Sequence, residues 1–196
     1  KHPMADLLST IMQSLGGDGI KQMSKSLGVD EKTAAGGVEA ALPLLVSALA
    51  RNSQSADGAQ SLHKALEKDH DGSILDNLGG LFSNPQSGNG AGILNHLLGG
   101  KRQNVEQGLS KTTGMNTQAI GGILEMLAPM VLGALGRQQR SQNLDQSGLA
   151  GLLGGEQSSL GSAGGLLSTF LDSDKDGSIL DDLGRLAGGL FGPKKQ

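Results

Sequence analysis

Two stretches of this chain repeat each other. Residues 24–51 and 110–137 align without a gap at an offset of 86 and share nine identities in 28 positions: Ser24/Ser110, Lys25/Lys111, Gly28/Gly114, Gly36/Gly122, Glu39/Glu125, Pro43/Pro129, Ala48/Ala134, Leu49/Leu135 and Arg51/Arg137. Further on, Asp71-Gly-Ser-Ile-Leu-Asp76 recurs as Asp176-Gly-Ser-Ile-Leu-Asp181 at an offset of 105. The second copy therefore carries 19 extra residues, placed in the Gly/Ser/Gln-rich stretch 141–165. Two copies of so long a unit exclude a solenoid, which stacks many repeats of 20–50 residues. The expected arrangement is one all-helical domain over 4–196, built from repeats at about 5–85 and 91–192, with 141–165 as a linker. Lys1-His2-Pro3 reads as a cloning remnant ahead of Met4.

Helices follow from the residues available to fill a core. Leucine occurs 33 times in the 196 residues, whereas isoleucine and valine, which suit a pleated sheet, total 12. Glycine also occurs 33 times, yet Leu, Ile, Val and Phe reach about 24%, above the roughly 20% floor of disordered chains. Short helices are expected at 6–15 and 18–27 around Gly16-Gly17. Gly28 and Gly114 are expected as left-handed helix stops, and Asp30 and Asn116 as the N-caps that follow. The most apolar helices should span 32–50 and 118–136, with Gly36 and Gly122 as close-packing points and Pro43 and Pro129 bending them to pack on each other. Their apolar runs, Val38–Ala50 and Ile123–Leu135, are each 13 residues long, short of the roughly 20 a bilayer needs. They read as buried core, with no transmembrane segment.

The chemistry-bearing motif is an aspartate loop. Asp172, Asp174 and Asp176 alternate, Gly177 takes the sixth place, Ser178 offers a carbonyl and Ile179 anchors the loop, as in the first half of an EF-hand-type calcium site. The twelfth position, normally a bidentate Glu, is Leu183; Asp181 and Asp182 stand nearby to complete the shell. The first copy keeps Asp69, Asp71, Gly72, Ser73 and Asp76, with Glu67 in the first place, and reads as a weaker calcium site. The competing reading is metal-free: Asp-Gly is a turn pair, and Ser73–Asp76 and Ser178–Asp181 are capping boxes with Asp for Glu. The chain would then be a membrane- or partner-binding helical module.

Other chemistries are excluded or thin. The chain has no Cys, so no disulfide or thiolate site exists. A net charge of −3 without Trp or Tyr argues against nucleic acid. His63, His70 and His96 form no ligand-spaced pair; His96 reads as a half-buried helix residue. Gly88–Gly92 lacks the strand and Lys of a phosphate loop and reads as a flexible joint. No nucleophile elbow or acid–base pair is present, so an enzyme is not expected. A structural or interaction role is, with a protein partner or homo-oligomerisation. The N-terminal segment has no secretory pattern, so the cytoplasm is expected, with envelope association as the alternative.

Several motifs occur in a telling order: Gly92-Ile-Leu-Asn-His-Leu-Leu-Gly-Gly-Lys101, Val105-Glu-Gln-Gly-Leu-Ser110, Thr113-Gly-Met-Asn116, Met126-Leu-Ala-Pro-Met-Val-Leu-Gly-Ala-Leu-Gly-Arg137, and the terminal Asp-Gly-Ser-Ile-Leu-Asp-Asp-Leu with Gly-Gly-Leu-Phe. Together they resemble the bacterial domain of unknown function 937 family, YidB-like proteins, over nearly the whole chain. The resemblance implies a bacterial, multihelical, all-α fold and brings no activity or catalytic residues.

Overall fold

The structure, a computed structural model, describes the backbone of residues 3–160 and the side-chain surroundings of residues 7–156. The chain folds as an all-α, multihelical bundle, with no strand among the described residues. Its helices are α1 (Pro3–Leu27), α2 (Glu31–Ser53), α3 (Ala56–Lys68), α4 (Leu78–Ser83), α5 (Gly90–Leu98), α6 (Arg102–Thr113), α7 (Thr117–Gln142) and α8 (Gln146–Leu160). Short 3-10 turns at Ser73–Asp76, Pro85–Gly88 and Gly99–Lys101 join some of them.

The repeat is visible in the local geometry. The expected helices at 6–15 and 18–27 run as one element, α1, broken at Gly16 with φ 52° and ψ −173°. Gly28 and Gly114 both end helices in the left-handed region, at φ 68° and 75°. Two residues on, Asp30 accepts from the Thr33 amide and Asn116 from the Ala119 amide, the same side-chain cap at the start of α2 and of α7. A side-chain oxygen at the N-cap satisfies an amide that the first helical turn leaves without a partner.

Helices α2 and α7 form the centre, and α1, α5 and α6 pack around both. Both helices exceed the 13-residue runs that the sequence singles out: at 23 and 26 residues they are long and apolar enough to cross a membrane by length and composition. In this fold they are core, with 67% and 83% of their most apolar windows buried inside the protein. Helix α7 runs through Pro129, which has no N–H to donate to the Glu125 carbonyl four residues back. The backbone of Gly90 lies against that carbonyl, and Gly88 packs on the Pro129 ring. Within the stretch 86–92 expected as a flexible joint, Gly88 and Gly90 are thus buried against α7 and the other residues are exposed.

Two further expectations change. Residues 146–160 form helix α8 instead of a linker, and its Leu149, Leu152 and Leu153 are buried against α1, α2 and α3. Leucines at spacings of three and four place one apolar stripe on a helix, which outweighs the glycines between them. Gly122 does face a close neighbour, Leu27, but Gly36 faces open space. The close approach on α2 is one residue later: a Cβ on Gly37 would overlap Cδ1 of Ile123. Gly37 and Ile123 are equivalent positions in the two repeats.

Candidate functional site

The first aspartate loop leaves α3 at Asp69, whose amide donates to the Ala65 carbonyl and ends the helix. Gly72 then takes φ 92°, a backbone conformation that costs an L side chain steric strain. Its amide neighbour Ser73 donates to Asp71 Oδ1 at 2.9 Å and opens the 3-10 turn Ser73–Asp76. The Ser73 hydrogen bonds hold the Asp71 carboxyl below the usual carboxylate range, with Arg140 adding to the effect. The turn buries Leu75 and sets Ile74 against the core.

What receives this loop is helix α7. A Cβ on Gly133 would be 2.7 Å from Ile74 Cγ2, and one on Gly136 would overlap the His70 carbonyl oxygen. The two glycines make a shallow seat in the helix surface. Two arginines close it. Arg137 Nη2 donates to the Gly72 carbonyl at 2.9 Å and to Asp76 Oδ1 at 3.0 Å. Arg140 donates to the carbonyls of Asp71 and Glu67, at 3.4 and 3.3 Å, and stands 3.8 Å from Asp71 Oδ2.

The predicted first-copy ligands are therefore distributed. Glu67 lies on α3 and pairs with His63 at 3.7 Å; Asp71 faces Arg140, Asp76 faces Arg137, and Asp69 lines a cavity of about 330 Å³ with His70 and His96. Ser73 contributes its amide to Asp71. Among the described residues, no three His, Asp or Glu side chains come together as a metal-holding group. Asp172, Asp174, Asp176, Ser178, Asp181 and Asp182 lie outside the described residues. His70 is half-buried, and burial depresses its pKa despite Asp69 and Asp71 beside it. His96 is exposed on α5 rather than half-buried.

A second polar cluster was not singled out from the sequence. Arg102, at the start of α6, donates to Glu106 at 2.7 Å, to Glu125 of α7 at 2.5 Å and to Asn95 of α5 at 3.4 Å. The Arg102–Glu106 spacing of four was the available signal, since residues four apart on a helix are neighbours. Glu125, alone in an apolar run, needed such a partner to be tolerated there.

The described residues define an internally duplicated, all-helical protein in which the loop of one repeat is clasped by the central helix of the other. A family model described as "Bacterial protein of unknown function (DUF937)" matches residues 9–138, and the chain belongs to that family. No curated protein and no solved structure matches the chain.

Proposed function

We propose that this bacterial protein has a structural, interaction-based role rather than an enzymatic one, and that the aspartate loop at 172–182 binds calcium. The calcium reading rests on the alternating carboxylates Asp172, Asp174 and Asp176, and the observation that supports the structural role is the clasp on the first loop. There the carbonyls of Glu67, Asp71 and Gly72 and the carboxylates of Asp71 and Asp76 are met by two guanidinium groups. In the first loop, arginine supplies the charge and Asp71 caps the turn, which favours a metal-free latch at 67–76. The second loop gains one carboxylate, Asp182 in place of Asn77, while Asp172 stands for Glu67 and the one interleaved lysine is Lys175 where the first loop has Lys68. That excess of carboxylate suits a divalent, oxygen-seeking ion.

The test is the thermal unfolding of the full chain in calcium, in magnesium and in EGTA. Ligand at 100 times its Kd stabilises by about 2.7 kcal/mol, so millimolar calcium should raise the Tm by several degrees and magnesium should not. The Asp174→Ala plus Asp176→Ala variant should abolish the shift. A Tm indifferent to calcium would overturn the calcium reading.

A further inference from the structure

The cavity of about 330 Å³ beside the first loop lies between α3 and α5. Leu49 of α2, Leu62 of α3 and Leu132 of α7 line it and are buried, and Ile93 and Leu97 of α5 complete an apolar wall. Ser61, Asp69, Asn89 and His96 also line it and are exposed. The leucines are therefore its floor and the polar residues its mouth. We infer that this cavity binds a small organic amine, with the apolar body on the leucines and the ammonium group at Asp69.

Size and lining suit such a ligand. Small-molecule sites occupy about 300–1,000 Å³ and are mostly apolar, with a few placed polar groups. Roughly 150 Å³ holds a benzene ring, so about 330 Å³ takes a ring with a short chain. The apolar wall is not a by-product of the repeat. The first part of α1 and the whole of α5 both end at a glycine of positive φ, Gly16 at 52° and Gly99 at 55°. Ahead of these glycines the buried positions match: Leu7, Ile11 and Leu15 in α1, and Gly90, Leu94 and Leu98 in α5. In that register Ile93 and Leu97 stand where α1 has Thr10 and Ser14. The first repeat has polar residues on that face of its helix; the second has apolar ones, and they line the cavity.

Charge selects the amine. Asp69 is the one carboxylate among the lining residues, and no Lys or Arg lines the cavity. Its carboxylate forms no ion pair among the described residues. His70 lies beside it, and burial holds that imidazole neutral at neutral pH despite Asp69 and Asp71. A neutral imidazole adds no opposing charge and offers one acceptor nitrogen to an N–H donor. A cationic head thus meets complementary groups at the mouth, whereas an anionic head would meet Asp69. The site needs no metal, so it does not rest on the calcium reading.

Amide NMR spectra of the full chain in EDTA at neutral pH, titrated with phenethylamine, phenethyl alcohol and phenylacetate, test the site. The three probes share a ring and differ in charge. Phenethylamine should move the resonances of residues 61–70 and 89–97 and reach saturation. The alcohol should bind about five-fold more weakly, the worth of one exposed charge pair, and phenylacetate more weakly still. Asp69→Asn should bring amine and alcohol to equal affinity. Ala65→Phe, which sends a ring into the cavity from α3, should abolish amine binding while the protein still melts cooperatively. No saturable shift with phenethylamine, shifts scattered away from the cavity, or an alcohol or acid bound as tightly as the amine would overturn the inference. So would unchanged amine binding in folded Ala65→Phe; should that variant not fold, an amine preference that survives Asp69→Asn overturns it instead.

Discussion

Arg137 and Asp76 are 61 residues apart in the chain and 3.0 Å apart in space. The same Nη2 also holds the Gly72 carbonyl at 2.9 Å. The carboxylate is largely exposed, so the ion pair itself contributes little, about 0.2–1 kcal/mol for surface pairs. The bond to the buried Gly72 carbonyl adds about 0.5–1.5 kcal/mol. Urea denaturation should therefore show Arg137→Ala less stable by about 1–2 kcal/mol, and Asp76→Asn by less than half of that. Equal losses would mean that the ion pair, not the carbonyl contact, closes the clasp.

Glycines on these helices should separate into two kinds. Gly90 and Gly136 lie against the backbone oxygens of Glu125 and His70, which cannot swing away as a side chain can. Substituting alanine at either overpacks the contact and should cost about 1–3 kcal/mol. Gly36, on the same kind of helix, faces open space. Gly36→Ala should stabilise by about 0.5–1 kcal/mol through helix propensity alone. Denaturation midpoints of the three variants check the contrast.

Stability should fall in mild acid because of His70. Burial favours its neutral form, so its folded pKa lies below the ordinary value of about 6.5. Below pH 6.5 the unfolded chain takes up a proton that the folded chain resists. The resulting loss begins as pH drops through 6.5 and continues down to the depressed folded value. His70→Gln should flatten this part of the stability–pH curve, and an unchanged slope would show that His70 is not its source.

The paired caps invite a direct comparison. Asn116→Ala removes the acceptor for the Ala119 amide at 2.7 Å and should cost about 1 kcal/mol. Asp30 does the same work for Thr33 as a carboxylate, and the side-chain bond from Thr33 lowers its pKa. Its contribution is present above the ordinary Asp range and is lost as pH falls through the depressed folded value. Asp30→Asn should keep the cap while removing that acid dependence, as thermal melts between pH 2 and 5 would show.

Vesicle flotation addresses the apolar helices. With α2 and α7 mostly buried, the folded protein should stay with the soluble fraction when mixed with neutral or anionic liposomes. Co-flotation of native protein would revive the membrane-binding alternative.

The elements that local chemistry specifies were legible in advance. Gly28, Gly114, Asp30 and Asn116 act through their own backbone neighbours, so sequence alone placed two helix ends and two helix starts. The apolar runs around Pro43 and Pro129 were legible as core because apolar residues occupy nearly every face of those helices. What was not legible depends on distant partners. The difference between Gly36 and Gly37 is decided by Ile123, 86 residues away from Gly37, and by Leu27 having its counterpart in the smaller Thr113. Helix α8 hid behind its glycines because its three buried leucines gain stability only against α1, α2 and α3. The loop motif was visible, but its partners Arg137 and Arg140 look, in sequence, like ordinary surface residues late in an apolar helix.

The meeting of Gly37 with Ile123 has a consequence for assembly. In a dimer with two-fold symmetry, a residue touches its own counterpart only at the axis itself; every other contact is between different positions and occurs twice. Gly37 and Ile123 hold equivalent places in the two repeats and meet where α2 packs on α7. The counterpart of the Gly122–Leu27 contact is missing, because Gly36 faces open space, so the two repeats meet without strict symmetry. A second chain offering the same helix contact would have to compete with a neighbour tethered at permanent, high effective concentration.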